Sequence, residues 1–193
     1  TKEQLRADTL GNAPEIRPSE IRGMSEVMSE LAPGMLPEVA PEDEQMFVAS
    51  VPDKIHGAGV IAYPNFMEDA AEKMGGDFFV LPSSIHEVLL VKDNGQMTAK
   101  ELENMVKEVN ATQVEPADQL TDHVYHYDSQ NHIFELADKY EERQREAEHE
   151  AVDKDSVLGD LKEKKQEIAK KDPAKDAVTK AAITKHFFVI STE

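Results

Sequence analysis

The sequence predicts an α+β fold: an antiparallel or mixed sheet of about six strands, built as three hairpins, with helices packed on it and a charged helical or disordered tail. Three observations carry that expectation. Phe78-Phe79-Val80-Leu81 and Val88-Leu89-Leu90-Val91 are apolar at every position, the pattern of strands covered on both faces. Segments with apolar residues at helical spacing alternate with strand-like runs. From Ala137 onward Glu, Arg, Lys, Gln and Ala take over, and residues 141–154 hold too little apolar surface for a second core. The expected layout is a helical lead-in over 1–40, a core domain over 41–140, the charged tail over 141–185 and a short apolar segment over 186–193.

Thr1 and Gln4 form a possible capping box for a short helix carrying Leu5 and Leu10, which Gly11-Asn12 is expected to end. Pro18 and Ser19 open a second, with Ile21, Met24, Val27, Met28 and Leu31 on one stripe and Pro33-Gly34 as the stop. A Met-rich stripe suits a plastic docking face, although such stripes are more often core. Met35 to Gln45, with three Pro, reads as an extended connector.

Met46–Val51 and Ala58–Tyr63 read as strands of a first hairpin joined by Pro52–Gly57. Pro64 then starts a helix with Phe66, Met67, Ala70, Ala71 and Met74 on one face and Gly75 as its stop. It delivers the chain into the two apolar strands, linked through Pro82-Ser83-Ser84, where each large buried side chain contributes roughly 1.5–3 kcal/mol. Asp93-Asn94-Gly95 is a turn, and Thr98 with Glu101 is a capping box for a helix bearing Leu102, Met105, Val106 and Val109, ending near Asn110. His123–Asp128 and His132–Leu136 read as a last hairpin, more polar and so nearer a sheet edge. In the tail, Val157, Leu158, Leu161 and Ile168 offer a weak seam, residues 170–185 read as linker, and His186-Phe187-Phe188-Val189-Ile190 has a strand pattern that would either add to a sheet edge or have no role.

Charge is distributed unevenly. The net formal charge is −18, but residues 1–153 carry 12 Lys and Arg against 32 Asp and Glu, while 154–185 carry 9 Lys against 6 acids. A surface this acidic repels phosphate backbones, so direct nucleic-acid binding by the domain is not expected; it could attract a basic surface or mimic a nucleic acid, while the ordinary reading is that the acids keep the protein soluble, and the expected partner is another protein of unknown identity. There is no cysteine, hence no disulfide and no thiolate chemistry, which fits a reducing, cytoplasmic setting. No run approaches the roughly 20 apolar residues of a membrane span, so no membrane association is expected. The polar start, Thr1-Lys2-Glu3-Gln4, is unlike a signal peptide, and without an initiator Met it reads as an excised or processed chain.

Candidate chemistry is sparse. Ser84 with His86 supplies the residue types of a hydrolytic site, but no Gly-x-Ser-x-Gly elbow surrounds them, and a polar turn capped by its own hydroxyls accounts for the serines. His126, Asp128 and His132 are candidate ligands for a divalent metal, since the first two share a strand face and the third sits across the hairpin. Their spacing matches no recognised metal motif, and cross-strand polar pairing is the ordinary reading. Gly57 and Gly59 beside His56 do not follow a strand and open a helix, so they make a weak phosphate cradle; no cofactor is expected. Glu38, Glu42, Asp43 and Glu44 are the candidate interaction residues, and their clustering with the acids of the 64–74 helix on one face would favour mimicry of a nucleic acid.

The motifs Gly75–Val88, Met105–Val114 and Asp122–Tyr125 resemble an uncharacterised bacterial family, domain of unknown function 5688, over about residues 1 to 136. The resemblance implies a bacterial, intracellular protein of the kind common in anaerobic gut bacteria, of which this chain is a C-terminal portion. It implies no activity and carries over no catalytic residue. A weaker likeness links Ser156–Leu161 to tails of mobile-element proteins, and the final apolar segment departs from the tails such a family leads one to expect.

Three functions follow. The preferred one is a non-enzymatic protein-interaction or regulatory module. The alternatives are an acidic inhibitor that mimics nucleic acid, linked to mobile elements, and a small hydrolase or metal-dependent enzyme using Ser84 and His86 or the hairpin histidines.

Overall fold

The computed structural model describes residues 1–33, 39–149 and 164. The chain divides into two compact units, Thr1–Glu142 and Arg143–Glu193. Of the expected tail only 141–149 and 164 are described; its seam over 157–168, its linker and the apolar segment at 186–190 lie outside the described residues.

The first unit is an α+β fold. Its elements are α1 (Lys2–Ile16), β1 (Glu20–Gly23), α2 (Met24–Leu31), β2 (Met46–Ser50), a 3₁₀ helix (Gly57–Ala62), α3 (Phe66–Met74), β3 (Phe78–Leu81), β4 (Val88–Lys92), α4 (Ala99–Thr112), β5 (Tyr125–Asp128) and β6 (Ile133–Leu136). Residues 137–149 are helical and form α5. The strands make one six-stranded sheet in the order β1-β2-β4-β3-β5-β6, and every pairing is antiparallel.

The two apolar runs take the centre, as their double-sided pattern requires. All four residues of β3 are buried, as are Val88, Leu90 and Val91 of β4. Phe78, Val80, Val88 and Leu90 face one layer, where the 3₁₀ helix and α3 bring Val60, Phe66, Ala70 and Met74. Phe79, Leu81 and Val91 face the other, closed by Ala99, Leu102 and Val106 of α4. α4 starts where Thr98 accepts from Glu101 N–H and the Glu101 side chain returns to Thr98, both halves of the expected capping box. It runs two residues beyond Asn110.

Four local expectations are corrected. Ala58–Tyr63 is not the partner strand of β2. Both edges of β2 are taken, by β1 and β4, and the chain turns at Gly57, which is pressed against Ser50 and the His86 carbonyl where a β-carbon would not fit. The missing strand is β1: Ile21 matches the helical spacing of α2, but it pairs with Ala49, and the helix begins only at Met24. Nor is the Met-rich stripe of α2 core, since none of its residues is buried and Leu31 is 73% exposed. α1 also runs through Gly11-Asn12 and closes later, with Arg17 N–H donating to Ala13 O.

Candidate functional site

The sheet end at the close of β3 gathers the most unusual local structure. After β2 the chain makes a tight loop in which Lys54 (φ 57°) and His56 (φ 52°) both adopt the left-handed conformation. For residues with a β-carbon that conformation costs of order 1 kcal/mol or more each, so the surroundings must hold it. Arg17 does part of this, pairing with Asp53, while Tyr63 Oη donates to Arg17 O at 3.0 Å. The link after β3 does the rest. Ser50 Oγ donates to His86 O at 2.8 Å, Ala58 N–H to Ile85 O at 3.1 Å, and Ile85 N–H to Asp118 O at 2.9 Å. Ser84 also forms an isolated antiparallel bridge with Gln119, and Leu120 N–H donates to Ser83 O at 3.0 Å, so the 118–120 loop is held beside the link.

His86 is pinned at the centre of these loops. Its ring lies nearly parallel to that of His56, centroids 5.9 Å apart, and Nε2 is 3.4 Å from Asp118 Oδ2. Nδ1 is 3.2 Å from Lys54 O and 3.4 Å from the His56 N–H. With Nδ1 unprotonated the ring accepts from the His56 N–H, and with Nδ1 protonated it donates to Lys54 O, while Nε2 stands within ion-pair distance of Asp118 in either state. Ser84 meets His86 through the backbone only, its hydroxyl accepting the His86 N–H at 3.1 Å. The pair thus forms the self-capped polar turn, and the imidazole is directed at Asp118 and Lys54.

Beside this cluster lies an apolar trough. Two adjoining hollows, of about 440 and 320 Å³, share Ile61 and Leu120. The first is completed by His56, Ala58, Gly59 and Ile85, the second by Pro82, Thr121, Tyr125 and Phe134. Tyr125 and Phe134 stack across β5 and β6 at 5.2 Å. Leu120 is 48% exposed and Phe134 42%, an apolar surface open to solvent. Sequence reasoning missed this feature. Leu120 stands in a polar loop and Phe134 in the more polar hairpin, and only the Ser84–Gln119 bridge and the β5–β6 pairing bring them together.

The hairpin histidines go separate ways. His126 is wholly buried on the α4 side, its ring stacked on Tyr140 with centroids 3.5 Å apart and edge-on to Phe79 at 5.0 Å. Its Nε2 is 3.0 Å from Asp93 Oδ2, and this hydrogen bond is the main reason the Asp93 carboxyl titrates below the ordinary carboxylate range. Asp128 is buried and accepts from the N–H groups of Gln130 and Asn131, fixing the hairpin turn. His132, left-handed at φ 54°, places Nδ1 3.1 Å from Tyr127 Oη and 3.6 Å from Glu68 on the α3 side. Burial is the chief cause, and Glu68 a further one, that raises the Tyr127 phenol above its usual range. Among the described residues no three His, Asp or Glu side chains gather as metal ligands.

The acidic cluster is also divided. Glu44 is buried and turned inward, where its carboxylate accepts from Ser25 N–H at 3.0 Å and from Ser25 Oγ, closing the start of α2. Glu42 and Asp43 are exposed on a turn, and Glu38 lies outside the described residues.

A family model described as Family of unknown function (DUF5688) matches residues 1–129. The chain belongs to that family. The DUF5688 match runs from α1 through β5, so it includes the His56–His86–Asp118 cluster and most of the trough, while Phe134 and β6 follow it. No curated protein and no solved structure matches the chain. Among the described residues no helix is long and apolar enough to cross a membrane.

Proposed function

We propose that this DUF5688 protein is a non-enzymatic interaction module, and that the trough over Ile61, Leu120 and Phe134 takes an apolar segment of a partner protein flanked by basic residues. The trough carries this reading: open apolar side chains set in a chain whose first 153 residues have a net charge of −20. That charge steers a basic partner to the surface, while the apolar contacts hold it. The engagement of both His86 ring nitrogens supports the same reading over a hydrolase, because a general base needs a free nitrogen facing a nucleophile. The inward turn of Glu44 weighs against a nucleic-acid mimic, which needs its acids aligned on one exposed face. The absence of cysteine suits a cytoplasmic setting.

The test is an array of synthetic apolar peptides with Lys and Arg flanks, titrated against the full chain. Saturable binding that Leu120→Asp weakens by about tenfold or more, with unchanged melting temperature, supports the reading. Binding indifferent to Leu120→Asp overturns it. So does ester or peptide hydrolysis that His86→Ala abolishes.

A further inference from the structure

Strand β6 forms the edge of the sheet next to the trough, and among the described residues no strand pairs with its outer side. Ala137 N–H donates to Val124 O at 2.9 Å, so at that position the backbone faces β5. Successive residues of a strand direct their N–H and C=O groups to alternate sides. Glu135, opposite His126, therefore faces β5 as well, whereas the N–H and C=O of Phe134 and the N–H of Leu136 face outward. Among the described residues nothing pairs with this outward row. At the opposite edge Lys73 Nζ donates to Ile21 O of β1, one of the ways an edge is kept from pairing.

The two faces beside this edge differ in chemistry. Phe134, opposite Tyr127, lies on the trough side. Glu135 lies on the other, and the first two turns of α5 expose Asp138, Lys139 and Glu142. A strand laid against β6 presents alternate residues to these two faces.

We infer that β6 receives the partner segment as a seventh strand, and that the segment alternates apolar and basic residues: apolar ones joining Phe134 and the trough, and basic ones on the opposite face, drawn by the net charge of −20 over residues 1–153. This rests on the trough reading and specifies how the partner is held. A second copy of the chain is the disfavoured occupant, because two surfaces carrying net −20 over residues 1–153 repel each other.

The probe is a synthetic peptide of about eight residues alternating valine and lysine, added to the full 15N-labelled chain. Strand addition gives saturable shifts centred on Phe134 to Leu136 and slowed exchange of the Phe134 and Leu136 amides. N-methylation of one alternate set of peptide amides weakens binding about tenfold or more, while methylation of the other set changes it by less than about threefold, because only one edge of an added strand pairs. Leu136→Pro removes an edge N–H that pairs with nothing among the described residues, and produces the same loss without unfolding the protein. Equal effects of the two methylated sets, or shifts confined to Ile61 and Leu120, overturn strand addition and leave the trough reading intact. Absence of any binding by this peptide overturns the alternating code, and self-association through β6 in its place makes a second copy the occupant; the array titration with Leu120→Asp judges the trough separately.

Discussion

His126 Nε2 lies 3.0 Å from Asp93 Oδ2, joining strand β5 to the turn after β4 through a bond with one partner wholly buried. Asp93→Asn is expected to destabilise the protein by about 1.5–3 kcal/mol at neutral pH, the scale of a hydrogen bond to a charged group. The Asp93 carboxyl titrates lower folded than unfolded, so its contribution is complete above the unfolded value of about 4 and lost as pH falls through the folded value. Urea unfolding of wild type and variant from pH 7 to pH 2 should show the difference between them shrinking over that acid range.

Gly57 should tolerate no side chain. A β-carbon there meets Ser50 Oγ and lies 2.5 Å from His86 O and 2.9 Å from Val51 N, all parts of the fixed sheet end. Gly57→Ala should cost about 2 kcal/mol or more by overpacking. Gly59→Ala, with nothing within 4 Å of the added carbon, should stay within about 1 kcal/mol of wild type in thermal melts.

Relief of backbone strain should stabilise the loop that carries His56. Lys54 is exposed and left-handed, so Lys54→Gly should raise stability by up to about 1 kcal/mol despite the added freedom of the unfolded chain. Chemical denaturation would show an unchanged slope and a higher midpoint.

Glu44 is expected to matter to α2 rather than to a partner. Glu44→Ala removes the carboxylate that accepts from Ser25, and a loss of about 1 kcal/mol with faster amide exchange in Ser25–Met28 is the expected outcome. Glu42→Ala, on an exposed turn, should stay within about 0.5 kcal/mol of wild type.

What could be read in advance was what short stretches decide for themselves. Phe78–Leu81 and Val88–Val91 announce a doubly covered centre because burial on both faces admits no polar position. Thr98 and Glu101 announce a helix start because both halves of the cap lie within one turn. Ile21 gave no such signal: its spacing suits α2, and only the vacant edge of β2 makes it a strand. Ala58–Tyr63 misled in the opposite sense, since the chain there turns at Gly57, against the carbonyl of His86 from a separate segment 29 residues away. The trough was hidden for the same reason. Leu120, Ile61 and Phe134 are unremarkable in their own segments and become a surface only when four separate parts of the chain are brought together.

The place of β2 sets a kinetic order for the molecule. Its register with β4 sets Met46 opposite Val91, a span of about 45 residues, whereas β3 and β4 meet across a link of only a few. Closing the long span carries the larger entropic penalty, so the short central ribbon can form early and offer a template on which β2, and then β1, zip up from the outside. Mutations in the ribbon should accordingly slow refolding, and mutations in β1 should chiefly hasten unfolding.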